Sequence, residues 1–141
     1  MRVDFYLLSQ DSAEKAVALI SKATLKAGQR LLVVGGSEGL DRALWEEAAT
    51  EFLAHGAADA PHAERQPILL SSTCEAANGA KFIALADGQW RDEALTFERV
   101  FLIFDDGSRG GARECWRMLG SKDGIERHFW KQEDGRWIEQ A

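Results

Sequence analysis

The sequence has few cysteines, no long apolar run and no excess of positive charge, and each of these absences excludes a class of protein. Cys74 and Cys115 are too few for a disulfide framework, which predicts a reducing, cytoplasmic setting. The longest apolar runs, such as residues 82–86, hold five residues, far short of the roughly 20 that a membrane span needs. Near the N-terminus, Asp4 stands where a signal peptide carries positive charge. We therefore expect neither a signal peptide nor a membrane partner.

The charge balance argues against a protein that coats nucleic acid with its whole surface. Seventeen Lys and Arg against 23 Asp and Glu leave a net charge of −6, whereas such binding needs a broad basic footprint. A local basic patch is compatible with this balance. The 141 residues, 45% hydrophobic and 28% charged, are typical of a soluble globular protein, so we expect residues 1–141 to form a single domain.

Short apolar runs alternate with helical segments, and this alternation predicts the fold class. The predicted strands cover residues 3–8, 31–34, 67–70, 82–85 and 97–104. Residues 52–66 show no regular pattern and are predicted to form a long surface connection. Two polar-aromatic segments, residues 127–132 and 136–139, flank Asp134-Gly135 and predict a closing hairpin that adds antiparallel strands. We expect an α/β fold with a mostly parallel sheet, helices on both faces and a Rossmann-like topology.

Three helices are predicted from caps and from apolar spacing. The first begins at Asp11, with Glu14 as its capping-box partner, and ends at Gly28. The second follows Ser37, and the third runs from Ser108 to about residue 119. The second helix turns Leu40, Leu44 and Ala48 inward, and Asn78-Gly79 predicts a turn between strands.

A glycine turn supplies the alternative function, that of a small enzyme or a phosphate- or nucleotide-binding protein. Gly35-Gly36 and the following Ser37 lie between a strand and a helix, where a phosphate can bind. The lysine of a P-loop and the spacing of a dinucleotide-binding turn are both missing, and Glu38 puts a carboxylate where the phosphate would lie. A plain turn leading into the helix is the favoured interpretation.

Metal and catalytic sites are not predicted, and neither is a cofactor. His55, His62 and Cys74 follow no familiar zinc-ligand spacing, so we interpret the histidines as solvent-facing. Cys115 falls beside apolar positions of the third helix and is predicted to be a small core residue. No nucleophile, base and acid stand in a pattern that predicts catalysis.

A row of arginines on the third helix is the most informative feature. Arg109, Arg113 and Arg117 are spaced four residues apart and therefore lie along one side of the helix, with Trp116 on the adjoining strip. In an acidic chain such a row favours a negatively charged partner. The alternative is a solvated face whose arginines pair with acids such as those at positions 105 and 106.

A second alternative is a protein that binds single-stranded DNA directly by stacking bases on tryptophans. The candidate residues are Trp90, Trp116, Trp130 and Trp137. The net charge of −6 weighs against this function.

These residues, taken with others along the chain, resemble the chi subunit of bacterial DNA polymerase III. The segments that resemble the family are Phe5-Tyr6-Leu7-Leu8, Leu40-Asp41-Arg42-Ala43-Leu44-Trp45, Phe52-Leu53-Ala54-His55-Gly56, Asn78-Gly79-Ala80, Phe97-Glu98-Arg99-Val100, Ala112-Arg113-Glu114-Cys115-Trp116-Arg117, Trp130-Lys131-Gln132 and Gly135-Arg136-Trp137. They stand in the family's order over almost the whole chain. Ala54 replaces a proline typical of the family, and residues 57–66 have no counterpart, so no role is carried over to them.

The resemblance implies a non-catalytic subunit of a DNA-directed DNA polymerase holoenzyme, with an α/β fold and no nucleotide site. It implies attachment to the clamp loader through the psi subunit, binding to the acidic C-terminal tail of single-stranded DNA-binding protein, and only indirect contact with DNA. Arg113, Trp116 and Arg117 match the family's tail-binding positions. Arg109 matches a basic position one turn earlier, and Phe104 matches an apolar wall of the pocket.

Overall fold

Within residues 1–47, 54–134 and 136–140, the computed structural model contains an eight-stranded sheet. Its strands are β1 (Arg2–Leu7), β2 (Leu31–Val34), β3 (His55–Ala57), β4 (Ile68–Ser71), β5 (Phe82–Leu85), β6 (Arg99–Phe104), β7 (Glu126–Glu133) and β8 (Arg136–Gln140). The strand order across the sheet is β3-β4-β2-β5-β6-β1-β7-β8. Neighbouring strands run parallel except β7 and β8. The predicted α/β fold with a mostly parallel sheet is confirmed.

Helices cover both faces of this sheet. They are α1 (Ala13–Lys26), α2 (Leu40–Glu47) and α3 (Arg109–Gly120), with short 3₁₀ turns at Ala63–Arg65, Asp92–Thr96 and Asp106–Ser108. The apolar side chains of α1 and α2 pack into one core cluster, and those of α3 pack into a second cluster. Because side chains alternate along a strand, β1 sends Phe5 to the α3 side and Tyr6 to the α1 side.

The start of α1 differs from the prediction, because Ser12 rather than Asp11 caps the helix. The Ser12 hydroxyl accepts a hydrogen bond from the Lys15 backbone N–H at 3.2 Å. Asp11 instead accepts one from the side chain of Gln132 in β7 at 2.6 Å. The predicted capping-box residue Glu14 accepts a hydrogen bond from Ser37. A contact with a distant strand has therefore overridden the local capping pattern.

The predicted surface connection at residues 52–66 is also corrected. Residues 55–57 form β3, which pairs parallel with β4, and Ala63–Arg65 form a 3₁₀ turn. His55 is buried rather than solvent-facing, and its Nε2 lies 2.9 Å from Asp41 Oδ1 of α2. A three-residue strand with little apolar content leaves no periodicity to detect. Residues 48–53, which include Ala48 and the Phe52-Leu53 part of the resemblance, lie outside the described residues.

The C-terminal hairpin is present, but only β8 runs antiparallel. β7 pairs parallel with β1 on one side and antiparallel with β8 on the other. The chain crosses from β6 over β1 through α3 to reach β7, and such a helical crossover returns the chain in the same direction. The predicted antiparallel hairpin is therefore confirmed as the β7–β8 pair, and β7 joins the rest of the sheet in the parallel direction. In the turn, Asp134 has a φ of 50°, while Gly135 lies outside the described residues.

His128 of β7 lies between two carboxylates, Glu126 of the same strand and Glu139 of β8. Its Nδ1 lies 2.7 Å from Glu139 Oε1, and its Nε2 lies 2.9 Å from Glu126 Oε2. The hydrogen bond to Glu126, followed by the one to Glu139, raises the pKa of His128. The hydrogen bond from His128 in turn lowers the pKa of Glu126.

These shifts predict that His128 stabilises the fold in a pH-dependent way. Since its pKa is raised in the folded state, the stabilisation is complete below about 6.5, the ordinary histidine pKa, and is lost as the pH rises through the folded value. We expect His128→Gln to lower the Tm at about pH 6 and to have a smaller effect at about pH 9. Thermal unfolding at both pH values checks this. The exposed His62→Asn is the control, and an equal Tm difference at the two pH values would contradict the prediction.

Candidate functional site

A pocket of about 240 Å³ lies between α3 and the sheet, and we call it the α3 pocket. Its lining residues are Phe5, Phe104, Arg109, Ala112, Arg113, Trp116, Phe129 and Gln140. β1, β6 and β7 are adjacent in the sheet, so the phenylalanines that these strands direct toward α3 meet beneath the helix. The helix and these three strands therefore build one concave, largely aromatic surface, to which β8 adds Gln140.

Four aromatic rings form the floor and walls of the α3 pocket. Phe5 and Phe104 are almost completely buried and form its floor. The ring of Trp116 meets Phe5 edge-on at a centroid distance of 5.1 Å, and Phe104 stacks on Phe129 at 6.1 Å. Such edge-to-face and stacked pairs add stability beyond apolar burial. These contacts therefore help to hold the walls in place before any ligand binds.

A reciprocal cap fixes the 3₁₀ turn Asp106–Ser108, which leads directly into α3 and its arginines. The Asp105 carboxylate accepts from the Ser108 N–H at 3.0 Å, and the Ser108 hydroxyl accepts from the Asp105 N–H at 3.1 Å. The helix buries Ala112, Cys115 and Leu119 against the sheet. This leaves the arginine row on the side that faces solvent and the pocket mouth.

The arginines differ in their surroundings. Arg109 Nη1 lies 3.3 Å from Asp106 Oδ1. For this residue, therefore, the alternative prediction of an ion pair with a nearby acid is correct. Arg113 lines the α3 pocket, and within residues 1–47, 54–134 and 136–140 neither Arg113 nor Arg117 forms an ion pair. Arg117 is exposed on the next turn, outside the lining. Arg113 is thus the cation most available to an anion at the pocket.

Four of the five predicted site residues line the α3 pocket together, and Arg117 does not. The sequence-based prediction missed Phe5, Ala112, Phe129 and Gln140. Phe5 and Phe129 are partners in the β1–β7 register, and Gln140 pairs with Phe129 across the hairpin. Ala112 lies on α3 itself, three residues after Arg109. The other three residues reach α3 only through the strand order, which no local pattern gives.

The glycine turn of the alternative function is lined by carboxylates. Gly35 has a φ of 75°, and a Cβ at this position would lie 2.5 Å from the Asp87 carboxyl carbon. Arg91 holds Asp87 there through two hydrogen bonds of 3.0 and 2.9 Å. On the other side, the hydrogen bond from Ser37 lowers the pKa of Glu14. Of these two carboxylates, only that of Asp87 is paired with an arginine within the described residues, so together they leave a net negative charge beside the turn, which disfavours a phosphate.

Metal and thiol chemistry find no support in the described part of the chain. No group of three or more His, Cys, Asp or Glu side chains there is placed to hold a metal ion. Cys115 is buried as predicted, and its burial raises the pKa of the thiol to about 12. Burial also raises the pKa of Cys74. Among the same residues, no helix has the length and apolarity required to cross a membrane.

The tryptophans proposed as a stacking platform for DNA do not share one face. Trp116 lies on the α3 side, whereas Trp130 and Trp137 pack around Tyr6 on the α1 side. The indole N–H of Trp90 donates to Asp92 at 2.9 Å. This arrangement disfavours a continuous row of stacked bases.

An α/β scaffold with a preformed aromatic pocket and a basic rim is suited to binding a ligand that has an apolar and an anionic part. Comparison of the sequence with known protein families identifies the family. The chain belongs to the DNA polymerase III chi subunit family, HolC, whose sequence model matches residues 1–128. Chi subunits are non-catalytic accessory subunits of the DNA polymerase III holoenzyme, so this chain is a DNA replication subunit. No curated protein matches the chain.

Proposed function

We propose that this chi subunit links the clamp-loader assembly of DNA polymerase III to single-stranded DNA-binding protein by binding that protein's acidic C-terminal tail in the α3 pocket. The observation that carries the proposal is Arg113, a cation with no ion-pair partner among the described residues, at the mouth of an aromatic pocket. Attachment through the psi subunit is part of the proposal and is supported by membership of the family.

The dimensions of the α3 pocket suit one aromatic side chain. Its volume is about 240 Å³, and an apolar cavity of about 150 Å³ already holds a benzene ring. A terminal phenylalanine therefore has room for its phenyl ring over Phe5 and Phe104, with its carboxylate at the mouth. There the planar guanidinium of Arg113 can donate two parallel hydrogen bonds to the carboxylate, a geometry that a lysine lacks.

The basic rim suits the acidic residues that precede the terminal phenylalanine. Arg109 stands beside Arg113 at the pocket, and Arg117 continues the row along α3. The chain as a whole carries a net charge of −6, which repels an acidic peptide elsewhere on its surface. The row therefore favours one binding place and makes the affinity sensitive to salt.

Titration calorimetry with the full chain tests this function. The ligand is a peptide with several aspartates and a C-terminal phenylalanine, and we expect saturable binding that weakens as salt is added. The matched control peptides lack the terminal phenylalanine, carry a C-terminal amide, or replace the aspartates by asparagines. We expect removal of the phenylalanine to weaken binding as much as neutralisation of the aspartates, since the pocket and the rim act on different parts of the peptide. Binding that is indifferent to the terminal residue would contradict the proposal.

A further inference from the structure

We propose that Arg127 is a positioning residue that holds the Trp116 ring in the orientation required by the α3 pocket. This inference rests on the proposed function, because the pocket matters only if a tail occupies it. Arg127 belongs to β7, while Trp116 belongs to α3, so the contact joins the helix to the sheet.

Arg127 contacts both the ring and the backbone of Trp116. Its guanidinium carbon lies 4.4 Å from the centroid of the indole ring, within the range of a cation–π interaction. Its Nη1 also donates a hydrogen bond to the Trp116 carbonyl at 2.8 Å. In the described part of the chain Arg127 forms no ion pair. Its polar contacts are therefore directed at Trp116.

The indole of Trp116 has no other polar restraint on its orientation. Within the described residues its N–H has no acceptor. Its remaining ring contacts are edge-on, with Phe5 at 5.1 Å and Phe129 at 6.4 Å. Edge contacts alone do not determine how far a ring tilts. The planar guanidinium lying over the indole supplies the missing restraint.

Gly120, the last residue of α3, makes room for this contact. A Cβ at position 120 would lie 2.7 Å from Arg127 Nη1 and 2.9 Å from its Cζ. The backbone of Gly120 is not in the left-handed region, so alanine is compatible with its conformation. Gly120→Ala therefore moves the guanidinium off Trp116 while the positive charge of Arg127 is kept.

Direct contact between Arg127 and the tail is the competing explanation. Arg127 is not among the residues that line the α3 pocket, whereas Trp116 is. A residue that acts through Trp116 should change the affinity without changing its salt dependence. A residue that pairs with a carboxylate of the tail should change both.

The first test is calorimetry with the acidic peptide ending in phenylalanine, on Arg127→Met and Gly120→Ala. We expect both variants to bind about five- to ten-fold more weakly than the wild type, as loss of a partly buried cation–π contact predicts. For Gly120→Ala, which keeps the charge, the salt dependence should equal that of the wild type. Arg127→Lys should bind with intermediate affinity, because lysine keeps the positive charge but lacks the planar guanidinium group.

Two variants serve as matched controls. Gly111→Ala makes the same exchange on the same helix, at a position where a Cβ meets nothing within 4 Å. Arg65→Met removes one exposed charge beside β4, near the opposite edge of the sheet. Both should bind the peptide like the wild type. Thermal unfolding of all variants shows whether a weakened variant is still folded.

The second test uses the free protein and does not need the peptide. The indole N–H signal of Trp116, identified by its loss in Trp116→Phe, should shift and broaden in Arg127→Met and Gly120→Ala but not in the two controls. An unchanged signal in both test variants would overturn the inference. If the wild type and both variants bind the peptide with equal affinity, the inference about Arg127 is also overturned. The proposed function still stands in that case.

The remaining outcomes are also decisive. If the wild type does not bind the peptide, the proposed function fails, while the Trp116 signal still tests the positioning role. If Arg127→Met binds weakly with a reduced salt dependence and Gly120→Ala binds like the wild type, Arg127 contacts the tail directly. That pair of results would overturn the positioning role.

Discussion

Arg113→Ala should weaken binding of the acidic tail peptide by about ten-fold or more. A well-placed charge-assisted hydrogen bond contributes roughly 1.5–3 kcal/mol, and a factor of ten corresponds to about 1.4 kcal/mol. Arg113 lines the α3 pocket, and no ion pair within the described residues competes for its guanidinium. Titration calorimetry of the wild type and the variant at the same salt concentration measures the effect.

The neighbouring arginines supply an internal comparison. Arg109→Ala should have a smaller effect, because Asp106 already pairs with Arg109, whose side chain is 46% exposed. Arg117→Ala should also have a smaller effect, since Arg117 lies outside the pocket lining and rim ion pairs contribute about 0–1 kcal/mol. Arg113→Lys should restore only part of the affinity, because lysine lacks the planar fork. Equal affinities for the wild type and Arg113→Ala would mean that the row is a solvated face.

The site residues that could be predicted from sequence are those that one helix brings together. Spacing of three and four residues fixes which side chains share a face of α3, whatever the rest of the fold does. Helical spacing therefore predicts one site for Arg109, Arg113 and Arg117 with Trp116 beside them. It does not predict that Arg117, one turn further on, lies outside the pocket lining. The central strand β6 was also predictable from local sequence, because its apolar run is continuous and ends at Phe104.

The rest of the pocket depends on strand order, which local patterns do not encode. Phe129 lies in a polar-aromatic segment, and only the parallel pairing of β7 with β1 brings it beside Phe5. Gln140 reaches the pocket because it pairs with Phe129 across the β7–β8 hairpin. Predictions from local sequence were also wrong where a distant residue binds the side chain. Asp11 was predicted to cap α1, but it accepts a hydrogen bond from Gln132 of β7 instead.

Asp4 is the clearest case of a residue whose role the sequence pattern did not predict. It stands in the apolar run of β1, the position of a core side chain, and it is completely buried. Its carboxylate pairs with Arg2 Nη2 at 3.0 Å and with Arg99 Nε at 2.9 Å, and it accepts from the Trp130 indole N–H at 3.0 Å. One carboxylate thus joins β1, β6 and β7, the three strands that also build the α3 pocket from their other side.

Asp4→Asn should destabilise the chain by about 3 kcal/mol, the low end of the range for breaking a buried ion pair. The low end applies because the Arg2 and Arg99 side chains are 35% and 29% exposed and can be partly rehydrated. Such a loss lowers the Tm by about 10 °C in a domain of this size. Denaturant unfolding of the wild type and the variant measures it, with the exposed Asp123→Asn as the matched control. Because Asp4 lies on the opposite side of β1 from Phe5, tail binding by the folded variant should equal that of the wild type. A stability change below about 0.5 kcal/mol, the scale of surface substitutions, would show that the carboxylate can be lost without cost and would contradict the prediction.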